Sequence, residues 1–187
     1  MVLLAILVAI MLILAFTPLG YLKVGIIEIS FMMIPVAVGA IILGPLAGAI
    51  LGGVFGTTSF IQALSISPFG VMLMSINPFY TFLLTMIPRI LMGWLAGLIF
   101  QGLYKNGSTK KISYAISSLS AALLNTIFFM SLLIILFGNT DYIKGFQGDM
   151  SILPFVVAFV GINGLVEAIV TMILGGTISR SLIRYRQ

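Results

Sequence analysis

The stretch Phe79–Phe100, FYTFLLTMIPRILMGWLAGLIF, decides how the whole chain is read. It is apolar at both ends and long enough to cross a bilayer, which takes roughly 20 apolar residues. Near its middle stands Arg89, directly after Pro88. An arginine at that depth costs roughly 2.5–3.5 kcal/mol on insertion scales, so such residues face a bundle interior or a wet cavity. Two roles are open. Arg89 is a structural cation held by an acid or by carbonyls, or it meets an anionic ligand inside the membrane. Pro88 predicts a kink or a local opening that frees a carbonyl for some neighbour to satisfy.

The rest of the chain has the same character. Of 187 residues, 61% are hydrophobic and 7% charged, where a soluble domain carries about 25% charge. Apolar runs of this length are helices rather than barrel strands. The expected fold is an all-α integral membrane protein, a single domain over residues 1–187. The net charge of +5 is no nucleic-acid footprint, because the cations sit at segment ends. With no cysteine and no histidine there are no disulfides, thiolate metal sites, zinc motifs of the HExxH type or Ser-His-Asp systems. No cofactor, metal or catalytic residue is expected.

Six spans are predicted: Val2–Phe16, Phe31–Leu43, Leu46–Ala63, the arginine helix, Ile112–Phe137 and Ile152–Leu182. The first is short for a full crossing. It reads as a span rather than a signal peptide, since no basic residue precedes it and no A-x-A site follows. Gly44-Pro45 marks a tight turn. Gly48, Gly52 and Gly56 form a ridge on one helical face, a packing pattern of membrane helices, and Gly93 and Gly97 repeat it. Ala5 and Ala9 share a face and let another helix approach. Six spans put both termini on one side with Lys105, Lys110, Lys111, Arg180, Arg184 and Arg186, and the positive-inside rule makes that side cytoplasmic. The links 19–30, 65–78 and 138–151 then face outward. The first reads as a lid or re-entrant loop, the second as a long loop dipping into protein or lipid, and the third as aqueous. Gly102–Ser108, GLYKNGS, lacks the lysine of a nucleotide-binding loop and follows no strand. No internal repeat supports an inverted-repeat transporter.

Polar residues inside the spans fall at one level. Arg89 and Asn125 lie about 11 and 12 residues from the outer ends of their spans, and Asn163 and Glu167 about 11 and 15 from the start of theirs, all roughly 15–22 Å deep. Asn163 and Glu167 are four apart on one face. Buried polar groups must be satisfied, which favours convergence. Either Arg89 and Glu167 hold two helices together, or the cluster lines a pocket open to the outside. In a pocket, Arg89 forks a carboxylate while Asn125, Asn163 and Glu167 bond hydroxyls or amides. Gln62, at the polar end of the third span, and Tyr80 complete the candidate set.

The chain resembles the substrate-binding S component of energy-coupling factor (ECF) vitamin transporters. The resemblance rests on IPVAVGAIILGPLAGAILGGVFG (Ile34–Gly56), IPRILMGWLAGLIF (Ile87–Phe100), LLNTIFF (Leu123–Phe129) and INGLVEAIV (Ile162–Val170), and covers the whole chain. The set is most similar to the pantothenate branch. It implies a six-helix bundle in a prokaryotic cell membrane with both termini cytoplasmic. Such a protein binds a vitamin from outside, docks on a transmembrane coupling subunit driven by two cytoplasmic ATPases, and topples to release the vitamin inside. Any ATPase activity resides in those partners. Ala5 and Ala9 match the family's Ala-x-x-x-Ala docking pair on the first helix, and the family's pocket is built on the outer side from helices four to six and the outer loops. Pantothenate has a carboxylate, an amide and two hydroxyls, which suits one arginine among amide and hydroxyl partners. Folate, riboflavin or a pyridoxine- or pyrimidine-type precursor are alternatives within the family. A stand-alone channel or a structural membrane protein is the alternative outside it, although nothing in the outer loops reads as a selectivity filter.

Overall fold

A computed structural model describes residues 1–17, 20–24, 27–105 and 109–186. Pro18, at the end of the first predicted span, and Asn106–Ser108, in the inner basic link, lie outside the described residues. The architecture is a helical membrane bundle with one short hairpin. Its helices are α1 (Val2–Phe16), α2 (Met33–Leu43), α3 (Pro45–Ser65), α4 (Pro68–Ile76), α5 (Pro78–Lys105), α6 (Ser113–Phe137), α7 (Asp141–Gln147), α8 (Ile152–Val170) and α9 (Gly176–Arg186). A π-helical turn, Thr171–Gly175, joins the last two. Among the described residues, Pro45–Ser65, Pro78–Lys105, Ser113–Phe137 and Asn163–Ile183 are long and apolar enough to cross a membrane. Counting the bent pair Asp141–Gln147 and Ile152–Gly161 as one span gives up to five. Helices α1 and α2, of 15 and 11 residues, are shorter apolar helices.

The sheet among the described residues is the antiparallel pair β1 (Tyr21–Val24) and β2 (Ile27–Ser30), with Tyr21 opposite Ser30. Within the link at 19–30 the described residues thus form a paired two-stranded element. Its base is closed by the Phe31 amide donating to the Gly20 carbonyl at 3.0 Å. The link at 65–78 is not a loop either. Pro68 opens α4, which buries Leu73 and exposes Val71, Met72 and Ile76.

Helix α5 carries the bundle's central contact. The glycines of α3 lie against its backbone: a Cβ at Gly48 would meet the Gly93 carbonyl, one at Gly52 the Arg89 carbonyl, and one at Gly56 Met86 and the Thr85 carbonyl. The ridge therefore serves close packing. It also fixes the height and rotation of Arg89. The core beside it comes from Met33, Val36, Ala37 and Ala40 of α2 with Leu51, Phe55, Met92 and Ala96. Helix α1 sits at the edge. Leu7, Met11 and Ala15 face inward while Ala5 and Ala9 are exposed.

One boundary needs correction. The sequence predicts a single span over Ile152–Leu182. Gly161 instead adopts φ 49°, ψ −145°, which breaks the helix there, and the membrane-crossing segment begins at Asn163. Glycine alone enters that backbone region at no steric cost. Depth counted from Ile152 is therefore not the depth of Asn163 or Glu167.

Candidate functional site

A cavity of about 190 Å³ opens among the hairpin, α3, α4, α5, α6 and α8. Arg89, Asn125, Asn163, Glu167 and Gln62 all line it. Among the described lining residues Arg89 is the one basic residue and Glu167 the one acidic residue.

Arg89 is held by the consequence of its neighbour. Pro88 has no N–H, so the Leu84 carbonyl one turn earlier loses its helical donor. Arg89 Nη1 donates to that same carbonyl at 2.8 Å. Proline and arginine thus form one device, in which the residue that opens the helix is followed by the residue that closes the gap. Two rings steady the guanidinium, with Phe129 at 4.8 Å and Phe55 at 5.4 Å from its carbon. Such contacts contribute ~0.5–2 kcal/mol each, more when dry. The arginine is therefore oriented before any ligand arrives.

Glu167 accepts the Ser30 amide at 2.6 Å, tying the end of β2 to α8 at the cavity wall. Gln62 donates from Nε2 to the Ala15 carbonyl at 2.6 Å. That carbonyl is among the last four of α1, which have no partner within their own helix. Gln62 thus caps α1 as well as lining the cavity. Asn125 is 8% exposed, and its Oδ1 is buried with no hydrogen-bond partner in the structure. Leaving such an acceptor unmade costs ~1–3 kcal/mol. It is an acceptor waiting for a donor.

Residues missed in the sequence complete the wall. Thr81 and Thr85 precede Arg89 at steps of four, so all three share one face of α5. That spacing was available in the sequence. Thr85 spends its hydroxyl proton on the Phe82 carbonyl at 3.0 Å and Thr81 its own on Asn77 at 2.9 Å, so toward the cavity both offer acceptors. Ser59 and Thr126 add hydroxyls, and Phe69 and Phe159, with ring centroids 5.5 Å apart, add an apolar wall. The Ser30 amide is a backbone donor, which no side-chain pattern announces.

Tyr80 is the exception. It is not on the cavity. Its ring lies edge-on to Phe137 at 6.1 Å and is 38% exposed. One residue before Thr81, it is rotated about 100° off the Thr81–Thr85–Arg89 face.

A membrane bundle enclosing a small cavity, with a preset arginine and several hydrogen-bonding groups, defines a protein that captures a small polar molecule within the membrane. The chain belongs to the ECF transporter substrate-specific components, whose family profile matches residues 1–175. These are membrane-embedded substrate-binding subunits, not enzymes. The chain is similar to the pantothenate transporter PanT of Leuconostoc mesenteroides, with 32% identity over 91% of this chain and 82% of that protein. It is also similar to the pantothenic acid transporter PanT of Lactococcus lactis, with 26% identity over 84% of this chain and 79% of that one.

Proposed function

We propose that this chain binds pantothenate from the outside of the cell and delivers it through an ATPase-driven coupling module. The observation that carries the reading is that the preset Arg89 and the unpartnered Asn125 acceptor line one cavity with hydroxyls, amides, rings and the Glu167 carboxyl. Arg89 takes the vitamin's carboxylate as a bidentate pair. Asn125, Thr81 and Thr85 accept from its hydroxyls and amide, Asn163 adds a further polar contact, and Phe69 and Phe159 cover its methyl groups. The names of the two relatives point to the same ligand. The size agrees. At about 190 Å³ the cavity is smaller than the ~300–1,000 Å³ of drug-sized sites, which favours a compact acid over folate or a flavin.

In this reading α1 and α2 complete six crossings with Pro45–Ser65, Pro78–Lys105, Ser113–Phe137 and Asn163–Ile183, the bent pair Asp141–Gln147 and Ile152–Gly161 is not a separate crossing, and both termini are cytoplasmic. A transmembrane coupling subunit docks on the exposed face of α1, and two cytoplasmic ATPases drive it. Equilibrium binding of radiolabelled pantothenate to the purified chain, with folate and riboflavin as competitors, tests the substrate. Saturable binding that a tenfold excess of either competitor does not displace is expected (roughly one decade in ligand, ~1.4 kcal/mol). Absence of pantothenate binding would discard the assignment.

The docking face has its own prediction. Ala5→Trp and Ala9→Trp add bulk on the exposed side of α1 and leave Leu7, Met11 and Ala15 in place. Pantothenate binding should stay at the unmodified level while uptake falls to background and the coupling subunit no longer copurifies. Normal copurification of both variants would move the docking surface elsewhere.

A further inference from the structure

The cavity wall is one-sided in its hydrogen bonding. Arg89 brings donors, through a guanidinium that has N–H groups and no acceptor. At four other wall residues a donor is already committed elsewhere. The Thr81 hydroxyl donates to the Asn77 carbonyl at 2.9 Å, and the Thr85 hydroxyl to the Phe82 carbonyl at 3.0 Å. Gln62 turns its Nε2 to the Ala15 carbonyl at 2.6 Å. The Ser30 amide is taken by Glu167 Oε1, also at 2.6 Å.

What this wall leaves for a ligand is largely acceptors. Both threonine oxygens keep lone pairs after donating their protons. Asn125 Oδ1 is buried and has no hydrogen-bond partner in the structure. Glu167 has a second carboxyl oxygen besides the one that meets Ser30. The charge inventory is equally uneven. A ligand's first anionic group meets Arg89, the one basic side chain among the described lining residues. A second anionic group finds no further base and meets the acidic Glu167 instead. Phosphate groups are recognised by clustered Arg and Lys, and this wall carries no such cluster.

We propose that the cavity selects a monocarboxylate whose other polar groups donate hydrogen bonds, and that Glu167 is the specificity-determining residue that turns away the same acid once a hydroxyl is phosphorylated. Phosphorylation spoils the match twice. It replaces an O–H donor with oxygens that accept, and it adds a second anionic group. Methylation of the same hydroxyl removes the donor and adds no charge. The proposal rests on the pantothenate reading, and adds to it the form of the vitamin that is refused. Any phosphoryl transfer to the vitamin then follows its entry.

Competition against radiolabelled pantothenate on the purified chain reads this with two analogues, the methyl ether and the phosphate ester of the primary hydroxyl. The ether should bind about tenfold more weakly than pantothenate, because a buried acceptor loses its donor. The phosphate should bind about a hundredfold more weakly or worse. In Glu167→Gln the amide oxygen still accepts from Ser30 while the acid is gone. The gap between phosphate and ether should then shrink by about tenfold, and the gap between ether and pantothenate should stay. A Glu167 that only held Ser30 in place would move all three ligands together. A phosphate or an ether that binds the unmodified chain as tightly as pantothenate would overturn the proposal, and so would a phosphate gap that Glu167→Gln leaves unchanged.

Failure of the substrate reading is told apart by a second ligand pair. Pantoate, a hydroxy acid without the β-alanine arm, and its phosphate ester are compared by thermal melting of the chain, since a ligand that binds the folded state raises the melting temperature. If pantothenate does not bind, but pantoate stabilises the chain and its phosphate does not, the vitamin is discarded and the selectivity stands. A phosphate ester that stabilises the chain as much as its parent acid discards the selectivity. A chain that neither acid stabilises discards both.

Discussion

Arg89→Ala should abolish measurable pantothenate binding while the protein still folds. Charge-assisted hydrogen bonds contribute ~1.5–3 kcal/mol each, and a carboxylate left in the cavity without its cation loses both arms of the fork. At ~1.4 kcal/mol per decade, the dissociation constant should rise by two to three orders of magnitude or more. The fold should survive for a specific reason. Alanine removes one bond to the Leu84 carbonyl and two ring contacts, but it also removes the desolvation cost of a charge near the middle of the membrane. Arg89→Lys separates charge from geometry. A lysine keeps the cation and loses the planar fork, so binding should fall between the two. Isothermal titration in detergent, alongside a thermal melt of each variant, decides the matter. Unchanged affinity in Arg89→Ala would reduce Arg89 to the stopper of the gap that Pro88 opens.

The second large effect lies one helix away. A Cβ at Gly52 would overlap the Arg89 carbonyl and come within 3.0 Å of Ile90 Cα. Those atoms are backbone and cannot swing aside, so α3 and α5 must separate. Overpacking of this kind costs ~1–3 kcal/mol, which exceeds the ~1 kcal/mol that alanine gains over glycine in a helix. Gly52→Ala should melt several degrees lower, at ~2–4 °C per kcal/mol for a chain of this size, and Gly52→Leu should not yield a monodisperse protein. Gly53 is the internal control. A Cβ there would meet Ile90 Cγ1 at 3.9 Å, an ordinary contact. Gly53→Ala should be neutral or stabilising. Since Gly52 lies against Arg89, Gly52→Ala should also weaken pantothenate binding, and Gly53→Ala should not. Equal melting of the two alanine variants would show that the ridge is not what sets the spacing.

The site was legible where its signal was a costly side chain in an apolar run. Arg89, Asn125, Asn163 and Glu167 declared themselves because polar groups in lipid must converge on something, and all four line the cavity. Pro88 likewise announced a carbonyl in need of a donor, though not that the next residue supplies it. Thr81 and Thr85 were readable by their spacing from Arg89. They carry weak signals, since threonine in a membrane helix is often satisfied by its own backbone. Tyr80 entered on chemistry alone, and helix rotation carries it away from the cavity.

Composition and period thus determined the class of protein, the helix-rich architecture, the ridge that packs α3 on α5 and the arginine near mid-span. These are local properties, fixed by the free energy of each residue in lipid and by the 3.6-residue turn. Only the tertiary structure decided that the last predicted span breaks at Gly161, that Glu167 receives the Ser30 amide across most of the chain's length, and that Asn125 and three buried serines are left without partners. Those outcomes depend on which backbone groups distant segments bring to one another, and backbone groups carry no residue code.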